Sequence, residues 1–301
     1  MKNNTLSPLL LQTEIGPFPL ISSVGSSIPL DIYNPNKTAM LIDQIRFAFK
    51  GANQVDLTLT TACAIAVEVL LGSIPLTNKH VTLGALAPRY FGSGAQGDNL
   101  QGPQGDTGLT WHFPRPLYVP PLVQLTINVK RQGVFPGDTG LGSVPALIAS
   151  VVGRSLPNNF PIPGSINIPW VTETQCNTAA TRFVSGDNDL VNSNDVPLHV
   201  TQFVGTNNNG EQSGPTPVDM TVQMALSNGT LLVRDQIPFW LAFPSDRGIL
   251  PVSACLQPGA FIRLELETAS IPSGAAALDG VGFTAVAMHG YREIQTPGTF
   301  G

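Results

Sequence analysis

The sequence predicts an all-β chain in which two related sandwiches follow one another, and three observations carry that prediction. The two halves close alike. Residues 123–130 alternate apolar and polar side chains and lead, through a Gly/Pro-rich loop and an apolar run, to Val152-Gly-Arg-Ser-Leu156. Residues 261–268 alternate in the same way and lead through a similar loop and run to His289-Gly-Tyr-Arg-Glu-Ile294. A period of two marks a strand with one face buried, and its recurrence marks a duplicated unit. Upstream, each half carries a Trp and a Phe-Pro step, Trp111-His-Phe-Pro114 and Trp240-Leu-Ala-Phe-Pro244, before a proline-marked turn. Finally, 30 glycines and 27 prolines are too many for a helical bundle and suit many short strands joined by turns.

Taken in order, residues 1–17 read as an extended arm, because Pro8, Gly16 and Pro17 punctuate a stretch with no helical period. Strands are expected at 20–24, 28–33, 39–49, 64–71 and 80–83. In the third, Met40, Ile42, Ile45, Phe47 and Phe49 alternate only if the register shifts at Asp43-Gln44, which predicts a bulge; a helix over 41–49 is the competing reading. Residues 84–108 hold Gly84, Gly92, Gly94, Gly97, Gly102, Gly105 and Gly108 and read as a long loop of the kind compact domains keep for function or contact. Strands resume at 111–113 and 117–129. The apolar run 146–152 reads as a central strand covered on both faces, or as a short helix.

Pro157, Pro161, Pro163, Gly164 and Pro169 make residues 157–169 a stiff connector. Beyond it come a strand at 197–204, a polar loop at 205–217, and Val218, Met220, Val222 and Met224 alternating in a half-buried strand. Asn228-Gly229 signals a type I′ hairpin into a strand at 230–241. The last strands are 260–267, where Phe261 competes with Leu264 or Leu266 for the inward face, and 282–294. About eight strands per half match a jelly roll of two packed sheets. The expected organisation is an arm at 1–17, a first jelly roll at 18–156, a connector at 157–169 and a second jelly roll at 170–301.

No motif in the chain assembles catalytic chemistry locally. Gly92-Ser-Gly94-Ala-Gln-Gly97 matches a dinucleotide fingerprint, but Gly102, Pro103 and Gly105 deny it the helix whose amides would meet a pyrophosphate. Residues 102–108 imitate two collagen triplets, too few for a triple helix. His80, His112, His199 and His289 are isolated from other ligand types at metal-binding spacing and read as satisfied side chains, His289 closing a sheet edge. Asp187, Asp189 and Asp195 could present oxygens to a structural calcium ion, although the distal Glu of a helix–loop–helix site is missing; an Asx-rich turn is the simpler reading. Glu265 and Glu267 share a strand face, as a glycosidase pair would, but an exposed face beside Arg263 explains them. Cys63, Cys176 and Cys255 are odd in number, form no CxxC pair, and read as small buried side chains.

Charged residues make up 12% of the chain, against about 25% in an average soluble domain. A neutral polar surface would account for this, and so would extensive permanent subunit contacts, whose centres are poor in Lys, Glu and Asp. The formal charge is −5 and Lys and Arg are not clustered, which argues against direct nucleic-acid binding. The N-terminus has neither the charged nor the apolar region of a secretory signal, and no apolar run reaches membrane-spanning length.

The duplicated β pattern, the low charge, the arm and the glycine-rich loops resemble the double jelly-roll major capsid proteins of icosahedral, often membrane-containing viruses, over residues 18–296. The resemblance implies a structural virion protein with no enzymatic activity and no resident cofactor. Its expected partners are two further copies in a pseudo-hexagonal trimer, neighbouring capsomers, minor capsid proteins and an inner viral membrane. It also implies that residues 84–108 and 205–217 face outward or toward neighbouring subunits. A carbohydrate-binding or carbohydrate-processing β-sandwich and a viral spike module are the alternatives. The chain is short for the family and lacks a long tower insertion.

Overall fold

The structure is a computed structural model, and it describes residues 8–13, 27–33, 38–50, 65–87, 109–132, 146–157, 163–177, 182–186, 189–208, 220–243, 248–268 and 283–295. The first half contains β1 (Pro8–Thr13), β2 (Ser27–Tyr33), β3 (Met40–Lys50), β4 (Ile65–Leu71), β5 (Ile74–Pro75), β6 (Val81–Thr82), a single helical turn α1 (Leu83–Leu86), β7 (Leu109–Val119), β8 (Gln124–Arg131) and β9 (Ala146–Ser155). The second contains β10 (Ser165–Asn177), β11 (Arg182–Val184), β12 (Leu198–Asn208), β13 (Met220–Leu226), β14 (Leu231–Pro238), the turn α2 (Phe239–Ala242), β15 (Ile249–Leu256), β16 (Ile262–Thr268) and β17 (Phe283–Gln295).

Each half has two antiparallel sheets. Their strand orders are β1-β9-β3-β7 and β2-β8-β4-β5 in the first half, with β6 also on β4, and β10-β17-β12-β15 and β11-β16-β13-β14 in the second. Counting β5 and β6 as one interrupted strand, both halves read 1-8-3-6 and 2-7-4-5. That order is the jelly roll, a doubly wound Greek key. Alternation supplies the two inner faces of each sandwich. Ile45, Phe47 and Val151 meet Val67, Ile127 and Val129 in the first core, and Phe203 and Met288 meet Val222, Leu264 and Leu266 in the second. The contest for the inward face of β16 is thus settled by Ile262, Leu264 and Leu266, and Phe261 takes the other parity.

The two halves repeat their irregularities as well as their order. Each one-turn helix begins after a cap residue of nearly identical conformation, Thr82 (φ −54°, ψ 129°) and Pro238 (φ −53°, ψ 134°). Three residues before each cap stands a non-glycine residue with φ of 63°, Lys79 and Asp235. The turn into β8 has Pro121 followed by Leu122 at φ 62°, and the turn into β16 has Pro258 followed by Gly259 at φ 76°. Both are closed by a bond from the fourth residue to the first, Val123 N–H to Pro120 O (3.4 Å) and Ala260 N–H to Gln257 O (2.9 Å). Proline followed by positive φ defines a type II turn.

The expected bulge at Asp43-Gln44 is present, with β3 shifting register against β9 and β7 between Ile42 and Gln44. β12 shifts at the equivalent place, between Val200 and Gln202. Opposite the two bulges stand Gly153 and Gly290. A Cβ on Gly153 would lie 2.2 Å from the Leu41 carbonyl oxygen, and one on Gly290 would lie 2.4 Å from that of His199. The glycine shared by the two closing segments in the sequence is therefore required by the backbone that bulges toward it.

Several expectations are corrected. Residues 8–13 are not an unpaired arm: β1 pairs with β9 from Pro8↔Arg154 to Thr13↔Ala149, since an edge position tolerates Pro8. The connector is shorter than 157–169, because Ser165 to Pro169 already belong to β10 and pair with β17. Residues 83–86 form α1 in place of the start of a loop, and β14 stops at Pro238, where α2 begins. The polar loop after β12 starts later than residue 205, because β12 runs to Asn208. Trp111 and Trp240 are not counterparts, since one lies in β7 and the other in α2. The Asn228-Gly229 hairpin forms, but only Gly229 has positive φ. Gly229 N–H bonds to Leu226 O and Leu226 N–H to Thr230 O, which makes a type I turn followed by a left-handed residue. The run at 146–152 is a strand with Leu147, Ala149 and Val151 inward and Ser150 and Val152 half-buried on its outer face. The expected strand at 20–24 and most of the loops at 84–108 and 205–217 lie outside the described residues.

Two outcomes follow from these devices. Gly153→Ala and Gly290→Ala should each cost about 2–4 kcal/mol, because the obstructing atom is strand backbone that cannot rotate away; chemical denaturation measures it, and an unchanged midpoint in either variant would contradict the close approach. Leu122→Gly should raise the melting temperature, since removing the Cβ from a left-handed position relieves about 1–2 kcal/mol and glycine's extra unfolded-state entropy returns about half of that.

Candidate functional site

The feature that sets this molecule apart from two independent sandwiches is the junction between its halves. The segment from β5 to α1 lies against the outer face of the β10–β17 pair. It joins the edge of β10 at a single parallel bridge between Thr77 and Val171, with Val171 N–H donating to Leu76 O (3.1 Å) and Asn78 N–H donating to Val171 O (2.7 Å). Ile168, Val171 and Ala287 of the second half are counted in the core of the first, and all four residues of α1 are buried. Edge strands left open are an association hazard, and this one is closed within the chain.

Four polar side chains reinforce the contact. Glu173 on β10 accepts hydrogen bonds from Thr82 N–H (2.6 Å), from the Thr82 hydroxyl (2.7 Å) and from the Gln175 amide. Burial pushes its carboxyl up to about 7, outweighing those donors, each of which pulls it down. His289 on β17 lies 2.8 Å through Nε2 from the Ala85 carbonyl. A carbonyl can only accept, so Nε2 carries the proton. Burial holds this imidazole down to about 4, against the raising effect of that bond. Asn78 Nδ2 donates to the Thr172 hydroxyl (3.1 Å). Arg292 reaches from β17 to the Pro75 carbonyl (3.1 Å) and to Asn194, with its guanidinium 5.0 Å from the centre of the Trp170 ring.

The residues singled out from the sequence are dispersed. His289 does not close an edge: β17 lies between β10 and β12 and runs on to Gln295, which buries the imidazole at the junction. His199 stacks on Tyr291 (centroids 5.1 Å apart), over which Arg115 is also placed (4.8 Å). His80 is half-buried and His112 exposed, in different sheets. Among the described residues no group of three or more metal-ligating side chains is brought together. Asp189 turns its carboxylate back onto Gly186 N–H (2.9 Å), three residues earlier, and onto the Thr174 hydroxyl (2.8 Å), so it braces the turn without forming an Asx turn, in which the carboxylate accepts from further along the chain. Asp195 is exposed near Arg292, and Asp187 lies outside the described residues. Glu265 pairs with Arg182 at 2.7 Å. Cys255 is exposed, contrary to expectation, because it faces outward on the edge strand β15, opposite His199. Cys63 and the glycine motif at 92–97 are outside the described residues.

Sequence reasoning missed Glu173 and Thr82, which have no motif. Their only signal was a carboxylate inside an otherwise alternating strand. Glu173, half-buried, and His289, buried, impose opposite pH dependences. Glu173 titrates near 4.5 when unfolded, so its contribution is fully present below that value and is lost as pH rises through 7. His289 titrates near 6.5 when unfolded, so its contribution is present above that value and is lost as pH falls toward 4. Glu173→Gln should therefore lose more stability than wild type on acidification from pH 6.5 to 4.5, since the lowered His80, His112 and His289 act alike in both proteins. Thermal melts of both proteins at half-unit steps measure this, and parallel curves would contradict the assignment.

No protein-family model and no curated protein matches the chain. Similar solved structures include the STIV MCP, at 12% identity over 95% of this chain and 97% of that one, with a TM-score of 0.46. The Faustovirus major capsid protein has 8% identity over 96% and 90% (TM-score 0.42), and the mavirus major capsid protein 8% over 95% and 89% (TM-score 0.30). The fold assignment rests on the strand order and not on these likenesses.

Proposed function

We propose that this chain is a structural virion protein, three copies of which form a pseudo-hexagonal capsomer of an icosahedral shell. The observation that carries the reading is the locked pair of jelly rolls with one strand order. A single chain presents two equivalent blocks at a fixed angle, so three chains supply six similar corners. Such a part needs shape and many repeated contacts, and weak contacts become strong when engaged together. The low charge fits extensive permanent interfaces. On this reading the chain is not an enzyme. Its partners are its own copies, neighbouring capsomers, minor capsid proteins and an inner viral membrane, and the absence of clustered cations fits a shell that encloses a genome without gripping it. A structural calcium ion beside Asp189 and Asp195 would have to compete with the Gly186 and Thr174 donors for Asp189.

Size-exclusion chromatography with light scattering tests the proposal. The expected species is three chains of 31.8 kDa each, and a monomer at high protein concentration would overturn it.

A further inference from the structure

The first half buries its β5–β6–α1 edge on the outer face of the second half, and the duplicated fold supplies the same two surfaces again without a partner. Aligning the cap residues Thr82 and Pro238 places Leu241 of α2 where α1 has Ala85. Ala85 is 0% exposed in the junction, and Leu241 is 57% exposed. Matching β4 to β13 through Val67↔Val81 and Val222↔Ile237 places Leu231 where β5 has Pro75. Pro75 supplies its carbonyl to Arg292, and Leu231 is 44% exposed. Of the four large hydrophobic residues exposed among the described residues, two therefore occupy positions that serve the junction in the other half.

The complementary surface is duplicated too. With Gly153 and Gly290 aligned, Ser150 and Val152 of β9 stand where β17 has Ala287 and His289. Ala287 and His289 are buried under α1, whereas Ser150 and Val152 are half-buried. The same alignment sets Leu9 of β1 against Trp170 of β10, so Leu10 and Gln12 take the register positions of Val171 and Glu173. Among the described residues β1 ends its sheet, with β9 as its neighbour.

We infer that copies of this chain associate head to tail by repeating the internal junction, the β14–α2 edge of one copy seating on the outer β1–β9 face of the next. The occupant is a second copy because the donor and acceptor surfaces are the structural counterparts of two surfaces already joined in this chain. Leu241 meets Val152 where Ala85 meets His289, which exchanges a polar contact for an apolar one. A heterologous contact of this kind either closes into a ring or grows without limit, and the trimer proposed above is the closed case. The inference rests on that reading for its closure and goes beyond it in naming the faces.

The test uses the full chain. Leu241→Glu alters an exposed side chain, so its melting temperature should match wild type, while light scattering should show the three-chain species replaced by single chains at concentrations at least tenfold higher than those at which wild type dissociates. Independently, Val152→Cys combined with Leu241→Cys in a Cys255→Ser background should give two- and three-chain bands with a short bismaleimide, and either cysteine alone should give none. Wild-type trimers, unaffected by Leu241→Glu and without pair-specific cross-links, would overturn this interface and leave the proposed function standing. A wild-type monomer would overturn both.

Discussion

Everything else in the molecule is arranged around the closure of one sheet edge. Between β5 and β6 the chain turns the Leu76 carbonyl and the Asn78 N–H away from β4. The second half meets them by offering the edge of β10 for two main-chain bonds and the face of β17 for α1. Once those bonds form, the two sandwiches cannot rotate against each other without exposing Val171, Ala287 and the whole of α1. Polar groups trapped in the contact then adopt the states the contact dictates: a histidine kept neutral and a carboxyl held close to neutrality, each by desolvation.

The duplication is deeper than shared topology. Bulges at Asp43 and Thr201, glycines at 153 and 290, left-handed residues at 79 and 235, and type II turns before β8 and β16 recur at matching places. Each is a geometric device that bends or ends a strand, and each constrains its neighbours. The bulge drives a carbonyl toward the last strand, and only glycine leaves room for it. Some of the differences between the halves fall at the junction. Ala85 and His289, which are joined, correspond to Leu241 and Val152, which are not. Leu122 and Gly259 differ for no reason that the described residues supply.

Of the shifted groups at the junction, Glu173 accepts from Thr82 N–H and hydroxyl across it and from Gln175 on its own strand, and His289 turns Nε2 to the Ala85 carbonyl while its buried Nδ1 has no partner among the described residues. Their perturbed protonation therefore reports how the halves are joined, as structural networks often do.

The sequence alone determined that the chain is β, that it is built twice, where most strands run, and that β3 carries a bulge. Those properties are local: the period of two, the proline-marked turns and the break in alternation at Asp43-Gln44 are written within a few residues of where they act. It placed no strand at β11, β15 or the later part of β10, and it took β1 for an arm, the first residues of β10 for a connector and α1 and α2 for loop and strand, because proline permits an edge strand and a single helical turn leaves no periodicity. Tertiary structure decided which strand neighbours which, which glycine is indispensable, which cysteine is exposed and which carboxylate is buried. Alternation tells a side chain which face it takes and not what lies beyond that face, and at the junction what lies beyond is set by residues some 90 to 200 positions away.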